Sequence, residues 1–298
     1  MKVAQFETGD GFCIGIEQKG KWLNYSKAEA FFTLANARAA MERLTTIALL
    51  LETEGLDPVR LREVMSFVGK TGLAQTLQVP KDAVMRAPLM RPAKIVALGL
   101  NYVLHAKEGS FEVPKEPILF VKVGSSVIGP GDVVRIPRDL GRMDHEVELA
   151  VVIGKRATEV SRKDAHQYVA GYTIVNDVSA RALQTSDLEK RHPWFRTKSF
   201  DTFTPMGPWI VTSDEIRPPV RLNLECRVNG KLRQKANTRD LVFDIPSVIE
   251  FITRYITLDP GDVISTGTPG GIGPIKDGDT MTCTIEKIGA LTNTVRYR

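Results

Sequence analysis

The chain has 298 residues, of which 43% are hydrophobic and 25% are charged, so it can form one large domain or one domain with a smaller companion. Its 40 basic and 35 acidic residues are interspersed, which argues against nucleic-acid binding. The three cysteines are far apart and form no C-x-x-C pair, so neither a disulfide framework nor a zinc ribbon is predicted. No signal-peptide core or membrane-length apolar run is present, so we expect a cytoplasmic protein that does not enter a membrane.

Residues 1–90 predict a small N-terminal domain. Its expected strands are 2–6, 12–17 and 21–24. A long helix is predicted over about 27–54 from apolar residues that recur every three or four positions, with Gly55 as its stop: Leu34, Met41, Leu44, Ala48 and Leu51. A second helix is predicted from the N-cap Asp57, with Pro58 at its first position, to Gly69. Three prolines predict a linker over 79–92.

Residues 91–298 predict a second, strand-rich domain. Short apolar or alternating runs bounded by turn residues indicate strands over 94–98, 118–121, 147–153, 172–177, 209–211, 221–228 and 280–285. Helices are predicted from Ser161 to before Gly171, and over 246–256. Many strands with few helices argue against regular βαβ alternation. We therefore expect an α+β, mostly β fold with a mixed, rolled or barrel-like sheet.

Acidic residues at two strands carry the strongest chemical signal. Within the predicted strand 144–152, Glu146 and Glu148 share one face because side chains alternate, and His145 faces the other side. A solvated sheet face explains this pair as well as a cation site does. Asp177 ends a second apolar strand, where a buried acid is costly unless it is paired or ligated. Three carboxylates would suit Mg²⁺ or Mn²⁺.

A His–Glu pair lies in the segment 101–108. If this segment is helical, His105 and Glu108 lie on one face, and the carboxylate would orient the imidazole as a general base. An incidental pair on a surface helix is the alternative. Gly109, Ser110 and the prolines at 114 and 117 predict a loop, which favours a mobile lid that carries the base.

Further polar residues are candidates for substrate binding. Arg181, Gln184 and Lys198 follow Asp177 and would contact carboxylate or enolate oxygens, although each is also compatible with a simple surface position. The glycine-rich segment 265–273 follows a predicted strand but lacks the lysine of a P-loop. Its backbone amides are candidates for binding a substrate carboxylate.

Five motifs occur in an order that resembles the fumarylacetoacetate hydrolase family. They are G-x-N-Y-x-x-H-x-x-E at 99–108, H-E-x-E-L at 145–149, N-D-V-S-A-R at 176–181, K-S-F-D at 198–201 and G-D-V-I-x-T-G-T-P-x-G-x-G at 261–273. The resemblance covers the chain from about residue 94 onward. It implies a mixed β-roll around one Mg²⁺ or Mn²⁺, usually in a homodimer. Ala182 departs from the pattern, since many members have Asp after the Arg.

The resemblance also implies roles for individual residues. The metal ligands would be Glu146, Glu148 and Asp177, and the catalytic residues would be His105, Glu108 and Lys198. The substrate-binding residues would be Tyr102, Arg181, Gln184 and Thr268.

The expected reaction is metal-dependent cleavage of a C–C bond in a small 2-oxo acid, as in an acylpyruvate or fumarylacetoacetate hydrolase. The cation would stabilise an enolate, and the His105–Glu108 pair would activate water. The alternatives are an oxaloacetate-type decarboxylase, an isomerase of the 2-hydroxyhepta-2,4-diene-1,7-dioate type, and a non-catalytic binding homologue. One site can support all of these reactions.

Overall fold

The computed structural model of the chain describes residues 1–36, 44–53, 55–109 and 111–298. Its strands are β1 (Lys2–Thr8), β2 (Gly11–Gln18), β3 (Lys21–Asn24), β4 (Val84–Arg86), β5 (Ile95–Gly99), β6 (Ile118–Lys122), β7 (Val127–Ile128), β8 (Val133–Ile136), β9 (Met143–His145), β10 (Val147–Ile153), β11 (Val169–Asn176), β12 (Thr204–Thr212), β13 (Asn223–Val228), β14 (Lys231–Asn237), β15 (Val263–Ser265), β16 (Gly273–Ile275), β17 (Thr280–Ile285) and β18 (Gly289–Tyr297). Its α-helices are α1 (Tyr25–Ala35), α2 (Ile47–Thr53), α3 (Pro58–Lys70), α4 (Val103–Glu108), α5 (Arg181–Glu189), α6 (Phe195–Lys198) and α7 (Ile245–Thr253).

The strands form three sheets. The large sheet follows the order β3-β2-β1-β12-β11-β10-β15-β5-β6, with β4 and β7 attached to its side. A second sheet has the order β14-β13-β17-β18-β8, and β16 pairs with β9. Most pairs are antiparallel, but β15 with β5, β18 with β8 and β12 with β7 are parallel. The predicted mostly β, α+β fold with mixed sheets is confirmed. In the described part of the chain the large sheet is open, with β3 and β6 at its edges.

Strand β10 lies at the centre of the core and is buried along its whole length. Alternate side chains enter two hydrophobic clusters, with Leu149 and Val151 in one and Ala150 and Val152 in the other. Glu148 shares the face of Ala150 and Val152, so its carboxylate is placed at the end of an apolar cluster.

The N-terminal residues join the large sheet directly. Strand β1 pairs with β12 through Lys2 opposite Val211, so strands from both predicted domains share one sheet. The division at residue 90 stays a prediction. The predicted linker over 79–92 contains β4, which pairs with β1.

The single helix predicted over 27–54 is wrong. Helix α1 ends at Ala35, and α2 begins only at Ile47 after the non-helical residues 44–46, while Met41 lies outside the described residues. The Thr46 hydroxyl accepts a hydrogen bond from the Leu49 amide at 3.2 Å, which is the geometry of an N-cap. Helix α3 begins as predicted, since the Asp57 side chain accepts from the Val59 amide at 2.9 Å.

The helix predicted from Ser161 is also wrong. Only a short 3₁₀ turn, Ala165–Tyr168, forms there, and the strand-forming run from Val169 begins β11 directly. The predicted helix over 246–256 is present as α7, in which Ile249 and Ile252 are buried. Helices α5 and α6 were not predicted. No helix in the described residues is long and apolar enough to span a membrane.

Candidate active site

Three buried carboxylates meet where two neighbouring strands end. Glu146 lies between β9 and β10, Glu148 lies on β10, and Asp177 directly follows β11. The Asp177 amide donates to the Glu146 carbonyl oxygen at 2.8 Å, which extends the β10–β11 pairing to the site. One ligand oxygen from each side chain lies within 4.8 Å of the others. This arrangement of oxygen donors fits a divalent cation such as Mg²⁺ or Mn²⁺.

Glu146 marks a change of sheet. Strand β9 pairs with β16, whereas β10 pairs with β11 and β15. The Asn176 side chain accepts a hydrogen bond from the Glu146 amide at 2.8 Å. His145 does not line the site, because its Nδ1 contacts Gln234 Oε1 at 3.0 Å on the other side of the strand. The expected alternation around Glu146 is therefore present.

Of the three carboxylates, Glu148 has the least favourable surroundings for a negative charge. It accepts hydrogen bonds from Ser265 Oγ at 2.6 Å and from the Gly267 amide at 2.9 Å. Burial, together with the negative charges of Asp177 and Glu146, raises its pKa to about 8. A cation held between the three carboxylates would offset both causes.

Two buried lysines neutralise the other carboxylates. Lys198 Nζ donates to Glu146 Oε2 at 2.7 Å and to Asp177 Oδ2 at 2.5 Å, and Lys122 Nζ donates to Asp177 Oδ1 at 2.6 Å. Burial acts to lower both lysine pKa values. For Lys198 the charges of Asp177 and Glu146 outweigh burial and raise the pKa, whereas the pKa of Lys122 stays lowered.

Sequence reasoning missed Lys122. Its side chain is fully buried at the end of β6, and it also donates to the Lys198 carbonyl oxygen. The available signal was a lysine that closes the apolar run Ile118–Lys122, because a charge in such a position requires a partner.

An arginine pair extends the site away from the three carboxylates. Asp144 is fully buried and accepts from Arg142 Nε at 2.7 Å and from Arg181 Nε at 2.9 Å. Arg181 also donates to Gln184 Oε1 and to Glu146 Oε1. Burial acts to raise the Glu146 pKa, but the charges of Lys198 and Arg181 outweigh it and leave the pKa lowered. Arg142 and Asp144 were also missed by sequence reasoning.

Helix α4 carries the His–Glu pair at the rim. His105 Nδ1 lies 3.7 Å from Glu108 Oε2, which is adjacent but beyond hydrogen-bond range. Burial lowers the pKa of His105, so its imidazole is neutral near pH 7. Glu108 accepts from the Gly271 amide at 3.0 Å. Two amides of the glycine-rich segment, Gly267 and Gly271, are therefore engaged by protein carboxylates.

Asn101, two residues before α4, is held by hydrogen bonds to two other segments of the chain. The Asn101 side chain donates to the Thr266 carbonyl oxygen at 2.8 Å and accepts from the Phe243 amide at 2.8 Å. Leu100, which precedes it, has a φ of 56°, a left-handed conformation that is unusual for a bulky residue. Such strain persists only where the surroundings impose it, and it is frequent at functional sites.

All of the predicted site residues except Tyr102 line one cavity of about 470 Å³. Tyr102 is 2% exposed, and its hydroxyl has no hydrogen-bond partner among the described residues. Thr268 lines the cavity, but its hydroxyl donates to the Val147 carbonyl oxygen at 3.1 Å. Phe120 and Trp194 form an apolar wall, with ring centroids 5.6 Å apart.

Comparison with known proteins is consistent with this geometry. Residues 94–296 match the family model for the C-terminal domain of fumarylacetoacetate hydrolase. This match covers more than half of the chain, so the chain belongs to the fumarylacetoacetate hydrolase family, whose members include hydrolases, isomerases and tautomerases.

Relatives that are named for an activity differ in their reactions. The chain is 42% identical over 255 residues to the mitochondrial oxaloacetate tautomerase of Xenopus laevis, covering 80% of this chain and 79% of the relative. It is 32% identical to the 2-hydroxyhepta-2,4-diene-1,7-dioate isomerase structure from Mycobacterium marinum, with a TM-score of 0.75, over 100% of this chain and 99% of that one. The maleylpyruvate hydrolase structure from Sphingobium, in complex with manganese and pyruvate, is 31% identical with the same TM-score and coverage.

Proposed function

We propose that this protein is a divalent-cation-dependent enzyme that interconverts the keto and enol forms of a short 2-oxo acid such as oxaloacetate. The observation that carries the proposal is the cluster of three buried carboxylates beside a neutral imidazole in one cavity. The similarity to an oxaloacetate tautomerase, at 42% identity over most of both chains, favours this reaction over the others in the family.

Glu146, Glu148 and Asp177 would hold the cation, because they offer only hard oxygen ligands. When bound, Mg²⁺ or Mn²⁺ supplies a Lewis acid that lowers the energy of the enolate form of a 2-oxo acid. The buried lysines pair with two of the three ligands, since Lys198 contacts Glu146 and Asp177, and Lys122 contacts Asp177.

The residues at the cavity divide the proton transfer between them. His105 is the group that takes or returns the proton at the carbon next to the 2-oxo group, because it is neutral and faces the cavity. Glu108, 3.7 Å away, stabilises the imidazolium that forms. An ammonium group has three N–H donors, and Lys198 uses two of them on Glu146 and Asp177. The third would serve the developing oxygen charge of the substrate.

C–C bond hydrolysis of an acylpyruvate is the second candidate. The cavity of about 470 Å³ can accommodate more than a four-carbon acid and a cation, and a maleylpyruvate hydrolase is a structural relative. In this reaction His105 would instead deprotonate a water that attacks the distal carbonyl carbon.

The test is to follow the ultraviolet absorbance of enol-oxaloacetate, with pyruvate release measured in parallel. Enzyme that is stripped with a chelator and then reloaded with Mn²⁺ should again accelerate the decay of the enol absorbance, without forming pyruvate. Pyruvate released from acetylpyruvate would favour the hydrolase, and pyruvate released from oxaloacetate would favour a decarboxylase. Failure of the metal-loaded enzyme on all three readouts would contradict 2-oxo acid chemistry at this site.

A further inference from the structure

Arg142 and Arg181 both donate to the buried Asp144 carboxylate, but they differ in how many of their other nitrogens have a partner in the described part of the chain. Arg142 and Arg181 each donate their Nε to a different oxygen of Asp144, at 2.7 and 2.9 Å. Both arginines line the cavity. Asp144 therefore fixes the two groups side by side, with Arg181 nearer to the metal ligands, because it also contacts Glu146.

Every nitrogen of Arg181 already donates to the protein, which uses three of its five N–H donors, with Nε on Asp144. Its terminal nitrogens donate to Gln184 and to Glu146. Arg142 has no partner other than Asp144 in the described part of the chain, so both of its terminal nitrogens are available. A guanidinium held at Nε keeps a planar pair of donors that matches a carboxylate.

The charge of the site points to the same kind of ligand. Four carboxylates and four cationic side chains lie together: Asp144, Glu146, Glu148 and Asp177 with Lys122, Arg142, Arg181 and Lys198. Ion pairs join all of them except Glu148, whose carboxylate lies within 4.8 Å of Glu146 and Asp177. These charges cancel when all of the groups are ionised. A bound divalent cation then leaves an excess of two positive charges among these groups, or of one when the Glu108 carboxylate at the rim is included, so the cavity favours an anionic ligand.

We infer that Arg142 is the specificity-determining residue that binds the second carboxylate of a dicarboxylic 2-oxo acid. The inference rests on the proposed function for the position of the 2-oxo end, which lies at the three metal ligands. The other cationic side chains among the described lining residues, Arg181 and Lys198, are paired with Glu146. Phe120, Trp194 and Leu188 are apolar. Arg142 is half-exposed at the cavity mouth, so it meets the end of the substrate that points away from the ligands.

The experiment compares two stable acids that differ only in the second carboxylate. Binding of malate and of lactate to the Mn²⁺-loaded protein is measured by calorimetry for wild type, Arg142→Gln and Arg142→Lys. Wild type should bind malate about tenfold or more tightly than lactate, which is the effect of one charged hydrogen-bonded contact. In Arg142→Gln this preference should disappear because malate binds more weakly, while the affinity for lactate stays unchanged. Arg142→Lys should keep part of the preference.

Arg156→Gln is the matched control. Arg156 is exposed, pairs with Asp259 at 2.9 Å and does not line the cavity, so both affinities should stay at the wild-type values. Equal weakening of malate and lactate in Arg142→Gln, or a wild type without a preference for malate, would overturn the inference. A preference that depends on Arg142 in a protein without tautomerase activity would support the inference while refuting the proposed reaction.

Discussion

The cavity has a buried floor around Asp177 and Lys198 and a more exposed rim around His105, Glu108 and Arg142, and the two parts are built differently. On the floor, Asp177 and Lys198 are almost fully buried, and each is held by at least two charged or polar partners. At the rim, the side chains of His105, Glu108 and Arg142 are 13%, 38% and 48% exposed and have unused donors or acceptors. The floor is thus held rigidly, as the proposed cation site requires, whereas the rim keeps hydrogen-bonding capacity that the proposed substrate would use.

The largest effect should follow Asp177→Asn on the floor. The substitution leaves the buried Lys122 without its anionic partner, so we expect a loss of about 3–5 kcal/mol in the free energy of unfolding. It also removes a proposed metal ligand, so Mn²⁺ should no longer raise the melting temperature. Denaturant unfolding and thermal melts with and without Mn²⁺ measure the two effects. Asp139→Asn, at an exposed position, is the control, and an equal loss there would contradict the assignment.

At the rim, His105→Gln should impair catalysis without weakening the fold. Loss of a general base lowers kcat by about 10²–10⁴-fold. The free energy of unfolding should stay within about 0.5 kcal/mol, because His105 Nδ1 has no hydrogen-bond partner among the described residues. Steady-state kinetics and denaturant unfolding test the two statements. His192→Gln, which is exposed and lies outside the cavity, should leave kcat unchanged.

The packing of the cavity wall between floor and rim can be tested at two glycines. A Cβ added at Gly99 would lie 2.5 Å from the Trp194 ring, so Gly99→Ala should cost about 1–3 kcal/mol of stability. Gly69→Ala is the opposite case, because it lies in α3 with nothing within 4 Å of the added Cβ. It should stabilise the protein by about 0.5–1 kcal/mol. Equal stabilities for the two variants would show that Trp194 does not pack as described.

The smallest effect concerns pH. Burial lowers the pKa of His105, so the imidazole stays neutral and basic at pH values where an exposed histidine is protonated. The acid limb of kcat/KM should therefore lie below about 6.5, the ordinary histidine value. A pH–rate profile of the Mn²⁺-loaded enzyme measures this limb. An acid limb above that value would assign the base to another group.

Patterns within single strands were predicted well, but pairings between distant segments were not. Period-two alternation correctly placed Glu146 and Glu148 on one face, and the apolar run before Asp177 correctly indicated a buried strand end. Lys122 was missed because its partner Asp177 is 55 residues away, and no local pattern encodes that contact. Likewise, nothing near Arg142 in the sequence indicates that Arg181 is already occupied.

The wrong helix prediction from Ser161 has a related cause, since strand pairing between distant segments decided the structure. Ser161 and Asp164 have the spacing of a helix start, and Ser161 Oγ does donate to Asp164 Oδ2 at 2.6 Å. The chain nevertheless enters β11 at Val169, because pairing with β10 and β12 buries its apolar run. Tertiary burial overrides a local capping signal in this case.

The central claim is that one cation at Glu146, Glu148 and Asp177 supports enolisation. Deuterium incorporation at C3 of oxaloacetate in D₂O, followed by NMR against the enzyme-free rate, tests it most directly because this hydrogen exchanges only when oxaloacetate itself enolises. We predict fast incorporation with Mn²⁺-loaded wild type, and the background rate for metal-stripped wild type and for Glu148→Gln. Incorporation that is equally fast in the stripped enzyme or in Glu148→Gln would contradict the claim.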